Sequence, residues 1–230
     1  MQITDHMRSR IAIQMRNLDN LQQIDLYRAF ADTPWSGAVE HLFELFCQLR
    51  FQTRIFLDFI PLPDHIPFHQ SPDSPHTSTR SPAHIGLRRT FDIRPSAVRE
   101  YGERDLRVLS PMPGVYYIPS AQNASAVDSF IFHEKYLYVF RFIISDLHKI
   151  SLRFVSRFSQ CTKFPPKSQW RIIFVLPDDV KPPTRPYLDS PESQSLQTLE
   201  LFSSKVKMED YMEATRFEEQ GRKKKKRAEA

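Results

Sequence analysis

The chain has 230 residues, of which 40% are hydrophobic, and a net charge of +5. That size allows one ordinary domain with extensions. Its two cysteines, Cys47 and Cys161, form no CxxC pair and exclude a disulfide framework. The +5 less the six charges of the run Arg222, Lys223, Lys224, Lys225, Lys226 and Arg227 leaves −1, so the high pI is a property of the tail and gives no evidence of a basic face on the folded part. Glycine is scarce, and no GxGxxG, GxxxxGK or GxSxG motif occurs, which argues against phosphate-cradling loops and serine-nucleophile elbows.

Taken in chain order, MQITDHMRSR lacks an apolar h-region, so no signal peptide is expected. No run approaches the roughly 20 apolar residues of a membrane span, and the expectation is no membrane and a place in the nucleus or cytoplasm. Residues 9–31 carry apolar side chains at rough helical spacing and predict a helix or two. SGAVEHLFELFCQLRFQ follows, with Val39, Leu42, Phe43, Phe46 and Leu49 three and four apart, a helix with one buried stripe. Glu40 and Glu44 share a neighbouring face of it. Arg54–Ile60 predicts a strand ended by Pro61.

From 61 to 95 the chain is rich in Pro, His, Ser and Thr and predicts a long loop, and regular structure is expected again only at Val115–Ile118. His65 and His69 in this loop are four apart, a zinc spacing on a helix, but Pro67 between them forbids that helix. Ala126–Phe132 and Tyr136–Ile144 predict a hairpin turning at His133-Glu134-Lys135. A helix is expected over 147–160 and a central strand over Arg171–Leu176. Residues 178–194 read as a polar, Pro-rich linker, and 195–219 as a last helix. The order argues for an α/β domain whose mixed sheet is flanked by helices. The expected organisation is a helical extension over 1–34, a core over 35–178 interrupted by the Pro/His-rich insertion 61–111, and a linker, helix and basic tail over 179–230.

One carboxylate, Asp128, falls inside the apolar hairpin, where a charge is costly unless paired or coordinated. Alternation sets Leu137, Val139, Arg141 and Ile143 on one face of the second strand. Asp128 then lies opposite residue 140 or 141. Arg141 is the only charge on that strand, so an Asp128–Arg141 pair is expected, bidentate where the geometry allows. A structural salt bridge at a sheet end is the plainest reading of it. Glu134 and Lys135 read as solvated turn residues.

The runs Tyr117-Ile118-Pro119, Ala126-Val127-Asp128-Ser129-Phe130, Leu137-Tyr138-Val139-Phe140, His148-Lys149-Ile150 and Ile173-Phe174-Val175-Leu176-Pro177 carry a resemblance. Together they resemble Crinkler-type and retrotransposon-hot-spot proteins, common in fungi and oomycetes. The C-terminal domain of that family looks like a restriction endonuclease of the PD-(D/E)XK kind. The resemblance covers 112–178 and, more weakly, 35–60. It implies a core of helix, strands, hairpin, helix and strand, with Asp128 at the strand aspartate and Glu44 at the helix acid. Such nucleases add a Gln or Glu, and a Lys or Thr two residues on, to hold Mg²⁺ and activate water. Here those two positions read Arg141 and Ile143, a fixed cation and a hydrocarbon.

The resemblance therefore implies a degenerate, metal-free and inactive site in which Arg141 stands in for the metal ion, with DNA or a nuclear protein as partner. Two alternatives stand beside it. One is an active nuclease using Mg²⁺ at Asp128, and the other is a purely protein-binding module. The RKKKKR run reads as a nuclear localisation signal, a phosphate-contacting arm or a solvated end.

Overall fold

A computed structural model describes residues 4–31, 36–62, 89–102, 105–120, 127–144, 153–182 and 199–207. The N-terminal region forms two helices, α1 (Asp5–Asn17) and α2 (Asn20–Ala31). Thr4 caps α1 by accepting the Met7 N–H at 3.3 Å. At the start of α2, Asp19 Oδ1 accepts the Gln22 N–H at 2.9 Å and Gln22 Oε1 accepts the Asp19 N–H at 3.0 Å. This reciprocal capping box separates two helices that periodicity alone leaves merged.

Helix α3 (Ser36–Phe51) holds the predicted stripe, but Leu45 is buried as well. The helix is covered on its outer side by α1 and α2. It is thus a central helix with more than one buried face.

Among the described residues, eight strands form one mixed sheet. In chain order they are β1 (Ile55–Pro61), β2 (Arg89–Ile93), β3 (Ala97–Tyr101), β4 (Val115–Pro119), β5 (Ser129–His133), β6 (Tyr136–Phe142), β7 (Trp170–Pro177) and β8 (Glu200–Val206). Across the sheet they run β2-β1-β8-β7-β6-β5-β4-β3, with β6, β7 and β8 mutually parallel. Helix α4 (Arg153–Ser159) lies in the crossover from β6 to β7.

The sheet is strongly curled. Phe91 on the edge strand β2 meets Tyr138 on β6 with ring centroids 4.2 Å apart. Four strand spacings in a flat sheet would set them about 19 Å apart. The face turned toward α1–α3 buries Phe43, Phe46, Phe51, Phe91, Tyr138, Phe140 and Phe202 in one cluster. The opposite face, under α4 and residues 105–109, buries Phe130, Leu137, Val139, Phe158, Trp170 and Ile172.

The hairpin agrees with the predicted alternation, since Leu137, Val139 and Ile143 lie in one cluster and Tyr138, Phe140 and Phe142 in the other. Glu134 takes the left-handed conformation, φ 54°, that a tight turn requires. His133 pairs with Tyr136 and Ser129 with Phe140, which brings Asp128 opposite Arg141.

Two expectations are corrected. The span read as a loop and insertion over 61–111 contains β2 and β3. Both have only five residues, flank Pro95 and carry charges, so they lack the apolar run that marks a buried strand. The helix expected over 195–219 is, over 200–206, strand β8, seated between β1 and β7. Leu199, Phe202 and Val206 imitate helical spacing, but both faces of the strand are buried, Ser203 and Ser204 included. Sheet pairing on both edges outweighs that local pattern. The parts of the predicted helices over 147–152, 195–198 and 208–219 lie outside the described residues.

Candidate functional site

Strands β5 and β6 position the aspartate. The Asp128 N–H donates to Phe140 O at 3.3 Å, continuing the ladder by one rung. Its side chain then takes over from the backbone, because Oδ2 accepts the Phe142 N–H at 2.5 Å. Arg141, opposite it, places Nε 3.6 Å from the same Oδ2, and the two side chains are 19% and 15% exposed. At that distance the contact is an ion pair without a hydrogen bond, and Nε has no hydrogen-bond partner among the described residues. The expected pairing is present, while its bidentate form is not.

Helix α3 supplies the second wall. Glu40, Glu44 and Gln48 recur every four residues and so form one polar stripe along the helix. Gln48 Nε2 donates both to Glu44 Oε1 at 3.0 Å and to the Asp128 backbone O at 3.1 Å. This amide ties the two acids that the sequence singles out. His41, itself buried, brings Nδ1 within 3.9 Å of Glu44 Oε2.

Burial pushes the Asp128 carboxyl up to about 7. Arg141 and the Phe142 N–H pull against that, while Glu44 and Glu40 add to it. The Cys47 thiol is raised by burial and then by Asp128 and Glu44, which makes it a poor nucleophile. Tyr116, beneath the site, donates to Ser129 Oγ at 2.8 Å; its hydroxyl is likewise raised by burial.

Of the four positions the resemblance implies, Glu44, Asp128 and Arg141 meet at this end of the sheet. Ile143 belongs to the apolar cluster under α4, is 1% exposed, and gives the site only hydrocarbon. Gln48 is a site residue that the sequence reading does not single out, although the spacing that pairs Glu40 with Glu44 continues to it. Glu134 and Lys135 sit in the turn at the far end of the hairpin. His65, His69 and the run Arg222–Arg227 lie outside the described residues.

The donors around Asp128 do not fit a divalent metal ion of the Mg²⁺ kind. One carboxylate oxygen is engaged by Phe142 and Arg141, and the facing strand position brings a guanidinium in place of a further oxygen donor. Among the described residues no three His, Cys, Asp or Glu side chains group as a metal site. No described helix is long and apolar enough to cross a membrane.

Compared with known family models, curated proteins and solved structures, the chain matches none.

Proposed function

We propose that this chain is a divergent, non-cleaving restriction-endonuclease-like domain of the Crinkler type that interacts with nucleic acid or a nuclear protein. The observation that carries the reading is the Arg141 guanidinium beside Asp128, where a nuclease of this kind needs a metal-ligating oxygen. A permanent cation at that distance takes the charge role of the ion and repels a second one. The order α3, β1, β4, the β5–β6 hairpin, α4, β7 supports the same reading, with β2 and β3 inserted after β1. In this reading Arg222–Arg227 serves as a nuclear localisation signal, and no cofactor is used.

The competing reading is an active Mg²⁺-dependent nuclease working with Glu44 and Asp128. It has one observation on its side: Glu44 and Glu40 both push the Asp128 carboxyl up, a tension that an added cation would relieve. Titration calorimetry with Mg²⁺ and Mn²⁺ separates the two. No site-specific heat is expected from the wild type, and binding that Asp128→Asn abolishes would sink the metal-free reading.

A further inference from the structure

Net charge conceals a segregation of sign along the chain. Between residues 147 and 177 the sequence holds Lys149, Arg153, Arg157, Lys163, Lys167 and Arg171, and neither Asp nor Glu. Arg171 is committed on the curled side of the sheet, donating to Glu200 Oε2 at 2.9 Å and to the Tyr138 hydroxyl at 3.0 Å. Lys149 lies outside the described residues. The remaining four follow α4 and the segment after it.

That segment lies on the face of the sheet opposite α1–α3, since Val155, Phe158, Cys161 and Phe164 all belong to the cluster there. A separate stretch, 105–109, covers the same face through Leu106 and Leu109. It adds Arg107, which is exposed and close enough to Cys161 to pull its thiol down against burial. Lys163 is exposed, and Arg157 and Lys167 are half-buried. The one acid among the described residues of 105–120 and 153–177 is Asp105, whose Oδ2 is turned back onto the Gly102 N–H at 2.9 Å. Cations from two chain segments thus share one face, with Asp105 the one acid among the described residues of those segments.

We propose that this face, with Arg107, Arg157, Lys163 and Lys167, holds the phosphate backbone of a nucleic acid. The assignment rests on the nucleic-acid arm of the reading above and locates it away from both the Asp128–Arg141 pair and the basic tail. Cations gathered on one face suit a polymer that carries a negative charge every few ångströms. Contacts of this kind position a duplex without reading its bases.

The test uses the full chain and a short labelled DNA duplex, followed by fluorescence anisotropy over a series of salt concentrations. One variant neutralises Arg222–Arg227 to glutamine, and a second adds Arg107→Gln, Lys163→Gln and Lys167→Gln to it. The tail-neutralised protein is expected to bind still. The added changes are expected to weaken binding about tenfold and to lower the salt slope by about 0.9 for each phosphate no longer neutralised. Unchanged affinity after the three substitutions overturns the proposal. Binding that vanishes with the tail alone also overturns it, while leaving the nucleic-acid reading intact. No binding by the unmodified chain defeats both. Anionic phosphatidylserine vesicles bound in place of DNA, and released by the same three substitutions, would make this a membrane face instead.

Discussion

Asp128 is the residue on which the electrostatics turn. Its carboxyl titrates near 7 in the folded chain, against about 3.9 for an unfolded aspartate. Between those values the folded state keeps a proton that the unfolded state has lost, so unfolding free energy falls as pH rises from about 4 to about 7. Denaturant unfolding across that range should show this slope in the wild type and a flatter one in Asp128→Asn. Equal slopes would place the raised carboxyl elsewhere. Arg141 opposes the shift, and its loss leaves Asp128 facing Glu44 and Glu40. Arg141→Gln should therefore cost about 1–3 kcal/mol at pH 8 and clearly less at pH 5, where Asp128 is neutral. A loss independent of pH would mean that the arginine acts by packing alone. At this scale much was legible: a lone acid and a lone cation on facing strands must find each other. The distance was not, because the Phe142 N–H takes Oδ2 first and leaves Arg141 only a 3.6 Å approach.

Between elements, Gln48 is the tie from α3 to the strand aspartate. Gln48→Leu keeps the volume and deletes both hydrogen bonds, with an expected loss of about 1–2 kcal/mol in thermal or denaturant unfolding. No loss would show that α3 and β5 need no polar link. The hairpin was readable because period-two alternation and a tight turn coincide in it. Strand β8 was not, because its partners come from distant segments, β1 and β7, and nothing local in ELFSSKV declares them. Its docking is instead visible in cross-strand chemistry. Tyr138, Arg171 and Glu200 are register partners on β6, β7 and β8, and the Arg171 guanidinium lies 3.5 Å from the Tyr136 ring centroid. Arg171→Leu should loosen β8 first, seen as faster amide exchange in Leu201–Ser204 than in β6. Equal acceleration in both strands would deny that role.

For the molecule as a whole, the curl of the sheet brings its β2 edge back against β5 and β6, closing Phe91 onto Tyr138 and near His133. No sequence pattern announces a curl, because it follows from how eight strands share one aromatic cluster. The sequence reading of an α/β mixed sheet holds, yet β2, β3 and β8 came from stretches read as loop and helix. The run of cations without acids between residues 147 and 177 was likewise hidden by a total near zero outside the tail. The central claim, a nuclease-like scaffold silenced by Arg141 and Ile143, is tested most directly by plasmid cleavage in Mg²⁺ or Mn²⁺. The wild type should leave the plasmid intact, and Arg141→Gln combined with Ile143→Thr should nick it. Cleavage by the wild type, abolished by Asp128→Asn, would contradict the account.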